Sequence, residues 1–257
     1  MIRRITGRRS LVWAAVALWL FACGQAGPRA QDAPLPSAKE IIAKHVNAIG
    51  GAENWKAIKS MRATGTFALP AQAMSGELEL LTARPSNLRL TITLAGVGKI
   101  ESGYNGKIGW SIDPMSGPAL MTGRELQELS DDANFESVVY AESAIKEFTP
   151  VGREPFERLP AIKVKVVLKS GTEQFEFFDA TTGLLLGFEG TRATPMGVVP
   201  TTEVLGDYKS FGVVKVPTTV KQRALGFETK TTLTDVVFDK VPPEAFDLPP
   251  AIKALIK

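Results

Sequence analysis

Residues 87–94, Asn87-Leu88-Arg89-Leu90-Thr91-Ile92-Thr93-Leu94, alternate polar and apolar without a miss. Side chains along a strand point to opposite faces in turn, so Leu88, Leu90, Ile92 and Leu94 must share one side. The same period recurs on either side. Leu78 and Leu80 alternate with Glu77 and Glu79, and Ile108, Trp110 and Ile112 alternate after an Asn105-Gly106 pair suited to a tight hairpin. The spacing predicts an antiparallel meander with one apolar and one wet face. Such a sheet must close on itself, meet a second sheet, or be covered by helices.

Further strands are expected at residues 61–69, 74–82, 99–104, 107–113, 150–154, 162–168, around Phe175 and Phe177, and at 184–188, 201–208, 213–222 and 228–238. Residues 192–199 read as a loop, because Thr194-Pro195-Met196-Gly197 interrupts the pattern. Two stretches have helical period instead. Ser37-Ala38-Lys39-Glu40 forms a capping box ahead of a helix over 38–49, with Ile41, Ile42, His45, Val46 and Ile49 on one stripe. A short helix over 52–59 follows Gly50-Gly51. In mid-chain, Thr122-Gly123-Arg124-Glu125 is a second capping box before Leu126 and Leu129. Asp131-Asp132 is positioned to cap a further helix carrying Phe135, Val138, Val139 and Tyr140.

The first residues are organised differently. Arg3, Arg4, Arg8 and Arg9 precede an apolar run over residues 11–22, too short for a membrane span of about 20 residues. Residues 1–23 therefore read as an export signal. Gly24-Gln25-Ala26 suits ordinary cleavage. Leu20-Phe21-Ala22-Cys23 resembles a lipobox, with Phe21 departing from it, which makes Cys23 the lipidation candidate and a route to membrane contact. The Arg8-Arg9 pair weakly resembles a twin-arginine signal. Residues 24–36 are rich in Gly, Ala, Pro and Gln and read as a flexible arm, residues 37–250 as the folded domain, and residues 251–257 as a tail.

Charge and cysteine content exclude several classes. The 257-residue chain has 30 basic and 27 acidic residues, and four of the basic residues but no acidic ones precede Cys23. The remainder thus carries 26 basic and 27 acidic residues and a net charge of −1, which offers no basic patch for nucleic acid. Cys23 is the only cysteine, so the domain is held together without disulfides. The single histidine, His45, lies on a packing stripe; alone it makes neither a zinc site nor a catalytic triad. Gly96-Val97-Gly98 lacks the third glycine of a dinucleotide fingerprint. Glu77 and Glu79 alternate with core leucines and are expected to face solvent. No cofactor is called for, and the residues favour a non-enzymatic protein.

Asn47-Ala48-Ile49-Gly50-Gly51, then Trp55, Ile58 and Lys59-Ser60-Met61-Arg62-Ala63-Thr64-Gly65, is similar to the start of the outer membrane lipoprotein-sorting protein family. Gly103-Tyr104-Asn105-Gly106-Lys107-Ile108-Gly109-Trp110, Asp113-Pro114-Met115-Ser116-Gly117, and the ending Asp207-Tyr208-Lys209, Val216-Pro217 and Phe246-Asp247-Leu248-Pro249 extend the resemblance over nearly the whole domain. These motifs are turns and packing residues. The resemblance implies a mainly β (α+β) fold: a curved antiparallel sheet forming an unclosed barrel, covered on its concave side by short helices, as in the periplasmic lipoprotein carrier and its receptor. It also implies an apolar cavity for the acyl chains of a lipid or acylated protein in the periplasm. Its lining is expected from Leu78, Leu80, Leu88, Leu90 and Ile92, with Ile108, Trp110, Phe175 and Phe177. Lid contacts are expected from Leu126, Leu129, Phe135 and Val139. The competing expectation is an envelope scaffold with a packed interior that binds a protein partner.

Overall fold

The computed structural model describes residues 34–194 and 197–256. The export signal, Cys23 and the arm up to residue 33 lie outside the described residues.

Ser37 caps the first helix, α1 (Ala38–Ala48), through both halves of the box: its Oγ accepts the Glu40 N–H at 3.3 Å, and its own N–H donates to Glu40 Oε2 at 2.7 Å. Helix α2 (Ala52–Ala57) follows, burying Trp55. Six strands then run as a meander: β1 (Ser60–Leu69), β2 (Met74–Ala83), β3 (Asn87–Leu94), β4 (Gly98–Asn105), β5 (Gly109–Asp113) and β6 (Gly117–Leu120). Helix α3 (Gly123–Ala133) and a 3-10 turn, Phe135–Val139, lead to a second meander. Its strands are β7 (Ile145–Phe156), β8 (Leu159–Leu168), β9 (Glu173–Asp179), β10 (Leu185–Thr194), β11 (Gly197–Phe211), β12 (Val214–Ala224) and β13 (Phe227–Phe238). A 3-10 turn, Pro243–Phe246, and helix α4 (Pro250–Lys253) end the chain.

All thirteen strands belong to one antiparallel sheet that does not close into a barrel. The order runs β6 to β1, then β13 to β7, so β1 and β13 pair at the centre and β6 and β7 form the edges. The mainly β reading with short helices is thus observed. One face, called inner here, carries α1, α2, α3 and the turn at Phe135–Val139. Val46, Ile49, Trp55 and Ile58 from the helices pack with Ala63, Leu78, Ile92, Val214, Val216, Leu233 and Val236 from the strands. Ile41 packs beside Ile162, Val164, Val166 and Phe178 farther along. Each buried aliphatic side chain of this kind contributes about 1.5–3 kcal/mol.

Several boundaries differ from those the sequence suggests. Residues 192–194 and 197–199 are strand, not loop: β10 and β11 form a long hairpin in which Arg192 pairs with Val199 and Thr194 with Gly197. Thr122 makes no capping bond to α3. Asp131 and Asp132 end α3 rather than start the next element, whose cap is Asn134, accepting the Glu136 N–H at 3.0 Å. Strand β6 has no alternation to betray it, because Gly117-Pro118-Ala119-Leu120 is an edge that packs little. The segment expected as a tail begins with α4, and Ile252 is fully buried.

Candidate functional site

Strand register decides which expected lining residues meet. Leu78 pairs with Ile92, Leu80 with Leu90 and Thr82 with Leu88, so Leu78, Leu80, Leu88, Leu90 and Ile92 share the inner face. On the next strand of that row, Ala63 pairs with Leu80 and Phe67 with Gly76. Leu78, Leu90 and Ile92, joined by Phe67, form the apolar wall of an inner-face cavity of about 150 Å³. The opposite wall comes from the other meander: Glu203 on β11, Val220 and Gln222 on β12, Thr229 and Thr231 on β13. Glu203 pairs with Gln222, and Gln222 with Thr229, so three polar side chains form one row across three strands.

Leu80 and Leu88 lie beside this cavity, in a cluster with Tyr104 and Ala133. Helix α3 presses Leu126 and Leu129 onto the same cluster. The approach is close: a Cβ on Gly109 would lie 2.7 Å from a Leu126 methyl and 3.2 Å from one of Leu129. Phe135 and Val139 are buried in the main inner core. All four expected lid residues therefore touch the inner side.

Trp110, Phe175, Phe177 and Ile108 are not gathered with them. Trp110 pairs with Gly103, neighbouring Glu101 opposite Ile112, on the outer face. There the turn Pro243–Phe246 crosses β3 and β4, with Arg89 donating to the Ala245 carbonyl at 3.0 Å. Ile108 lies in the turn before β5, donating its N–H to Asn105 Oδ1 at 2.9 Å. On β9, the partners of Val164 and Val166 are Glu176 and Gln174. That register turns Glu176 and Phe178 inward and Phe175 and Phe177 outward, where Phe177 stacks on Phe156 with ring centroids 4.3 Å apart. Lys163 sits 4.7 Å from the centre of the Phe175 ring. The run Phe175-Glu176-Phe177-Phe178 has apolar residues on both faces, so alternation alone does not choose between them.

No local pattern signals the polar contacts that hold α3 to the second meander. Arg192 forks onto Asp132 at 2.9 and 3.2 Å. Arg124 donates to Glu128 at 2.7 Å and to Thr191 Oγ1 at 2.6 Å. The other Glu128 oxygen accepts the Ala193 N–H at 2.8 Å. At the β8–β9 turn, Asp131 accepts from Ser170 at 2.7 Å and from Thr172 at 2.8 Å. One side of α3 is thus apolar against β3–β5, and the other is polar against β8–β10.

Burial sets the electrostatics beneath the helices. It pushes the Glu203 carboxyl up to about 7, against the opposing pull of Arg192 at 3.9 Å. Burial likewise raises Glu176, which accepts a hydrogen bond from the Tyr140 hydroxyl. His45 is buried with its Nδ1 3.1 Å from the Gly183 carbonyl, and burial lowers its pKa to about 4. A carbonyl only accepts, so the neutral ring carries its proton on Nδ1. Tyr140 and Phe178 meet the ring edge-on at 5.5 and 5.4 Å.

An open antiparallel sheet whose inner face is roofed by a crossover helix defines a class of fold. No family model and no curated protein matches the chain. Solved structures do match in fold. A LolA superfamily protein from Nitrosomonas europaea superposes with a TM-score of 0.56 at 13% identity, covering 83% of this chain and 99% of its own. A DUF1329 family protein from Desulfovibrio piger gives 0.55 at 10% identity, covering 83% and 98%. An outer membrane lipoprotein-sorting protein domain from Vibrio parahaemolyticus gives 0.50 at 14% identity, covering 82% and 94%. The chain shares its fold with these three structures. At these identities the likeness is one of architecture.

Proposed function

We propose that this protein holds acyl chains, of a lipid or an acylated protein, against the inner face of the sheet beneath α3. The observation that carries the reading is the two-sided seating of α3 beside a cavity walled by Phe67, Leu78, Leu90 and Ile92. At about 150 Å³ the cavity accepts a molecule the size of benzene, below the roughly 300–1,000 Å³ of a typical ligand site. A long chain needs more room than this, and α3, which packs on the neighbouring Leu80, Leu88 and Leu90 cluster, is the element whose movement would extend the cavity.

The reading requires no catalytic group. It fits export through the N-terminal signal and a site of action facing the periplasm, tethered by Cys23 if that residue is acylated. Among the described residues no helix is long and apolar enough to cross a membrane. Supporting the reading are the fold shared with the Vibrio lipoprotein-sorting domain and the apolar wall itself. The small cavity favours one alternative: an envelope scaffold whose interior stays packed while its outer surface meets a protein partner.

Native mass spectrometry of protein isolated gently from its own envelope tests the two. A bound mass that organic solvent extracts as lipid supports the carrier. A bare polypeptide that takes up neither lipid nor lipopeptide on incubation supports the scaffold instead.

A further inference from the structure

The cavity is not uniformly apolar. Its β1–β3 wall is hydrocarbon, while Glu203, Gln222, Thr229 and Thr231 make the β11–β13 wall polar. A cavity selected only to hold hydrocarbon gains nothing from a buried carboxylate, whose desolvation is costly unless it is paired. Glu203 is incompletely paired. Gln222 donates to its Oε1 at 3.3 Å, a long hydrogen bond. Arg192 stands 3.9 Å away, beyond hydrogen-bond reach, and its guanidinium fork is already engaged by Asp132. Two carboxylates, Glu203 and Asp132, thus share one guanidinium, leaving an excess negative charge beside the cavity. The Glu203 side chain is 18% exposed, so it is sheltered but reachable from the cavity.

We propose that Glu203, with Gln222 beside it, is a head-group subsite that pairs with an ammonium group at the polar end of a bound acyl or alkyl chain, while Phe67, Leu78, Leu90 and Ile92 take the hydrocarbon. This deepens the carrier reading and rests on it. The geometry matches chain and head: the two walls face each other across one cavity, so a chain lying on β2 and β3 presents its polar end to β11 and β12. An ammonium group supplies the charge that Arg192 shares out. A carboxylate or phosphate head would instead add a third negative group beside Glu203 and Asp132. Burial holds Glu203 near a pKa of 7, so it is largely ionised at pH 8, and a neighbouring cation favours that form further.

The test uses three single-chain probes of equal length, dodecylammonium, dodecanol and dodecanoate. The two charged probes are kept below their micellar concentrations and dodecanol below its solubility limit, and each is titrated with the full chain at pH 8, with binding read by calorimetry. The expected order is dodecylammonium tightest, by about tenfold over dodecanol, with dodecanoate weakest. Glu203→Gln is expected to bring the ammonium-to-alcohol ratio to about one. Unchanged circular dichroism and an undiminished melting temperature show that the variant is folded. Equal binding of all three probes by the wild type overturns the subsite and leaves the carrier reading standing. An ammonium preference that survives in Glu203→Gln also overturns it, by placing the preference elsewhere. Failure of every probe to bind overturns the carrier reading and the subsite with it.

Discussion

Lowering the pH from 7 to 5 should cost this protein about 2 kcal/mol through His45 alone. In the unfolded chain the imidazole titrates near its ordinary value of about 6.5. In the fold it titrates at about 4, because burial penalises the imidazolium, and the one hydrogen bond to Gly183 does not offset that. A base whose folded pKa is depressed lends its stability above the unfolded value and loses it as pH falls towards the folded one. Linkage gives a loss of about 2 kcal/mol at pH 5 and about 3 kcal/mol at pH 4. Urea unfolding of wild type and His45→Gln at pH 7, 6 and 5 measures it. The glutamine costs packing against Tyr140 and Phe178 at every pH, so the quantity read is the change in the difference between the two proteins. Glu176 and Glu203, both raised by burial, act with the opposite sign, but they are common to both chains and largely cancel. The chain has one histidine, so its ring resonances are assigned without ambiguity and their titration gives the folded pKa directly. A difference that stays flat within about 0.5 kcal/mol between pH 7 and 5, or a ring that titrates near 6.5, refutes the reasoning.

Glu203→Gln should stabilise the protein at pH 8, by at most about 3 kcal/mol, and by nothing near pH 4.5: an acid with a raised folded pKa loses its contribution as pH rises through that value, so melting temperatures of the pair should converge on acidification. Gly103→Ala should cost about 1–3 kcal/mol or more, because the new Cβ lies 2.2 Å from the buried Trp110 ring, whereas Gly206→Ala, with nothing within 4 Å, should stay within about 0.5 kcal/mol; chemical denaturation compares them. Arg192→Met should speed amide hydrogen exchange in α3 while leaving β3 and β4 protected, and equal exchange in both proteins would show that the Asp132 fork does not hold the helix. Ile252→Ala should lower stability by about 2–4 kcal/mol in urea titration, since its side chain is fully buried.

The sheet was legible in the sequence wherever one face is apolar and the other is not. Residues 87–94 are such a case, and β3 begins and ends where the alternation does. Helix α1 was legible because its cap is local: Ser37 and Glu40 satisfy each other within one turn. The site was legible only on the β2–β3 side. Phe175 and Phe177 illustrate why, since with Phe178 adjacent both faces of β9 are apolar and only the pairing to β8 sets the parity. The polar wall was out of reach for a related reason. Glu203 and Gln222 are 19 residues apart and meet only through the β11–β12 register. Arg192 fell in a stretch that Pro195 and Gly197 made look like a loop, and its partner Asp132 read as a helix cap. Interactions between distant segments leave no local period.

The central pairing of β1 with β13 joins segments about 170 residues apart, with Met61 opposite Phe238 and Ala63 opposite Val236. Each meander can assemble from neighbouring hairpins, but the seam between them waits for the final strand. The entropy of closing so long a loop must be met before the seam repays it, so joining the halves is expected to be the slow event of folding. Until β13 emerges, the first half keeps β1 as an unpaired edge and the inner core lacks Leu233 and Val236. A chain still being synthesised therefore cannot lock its two halves together before its last strand arrives.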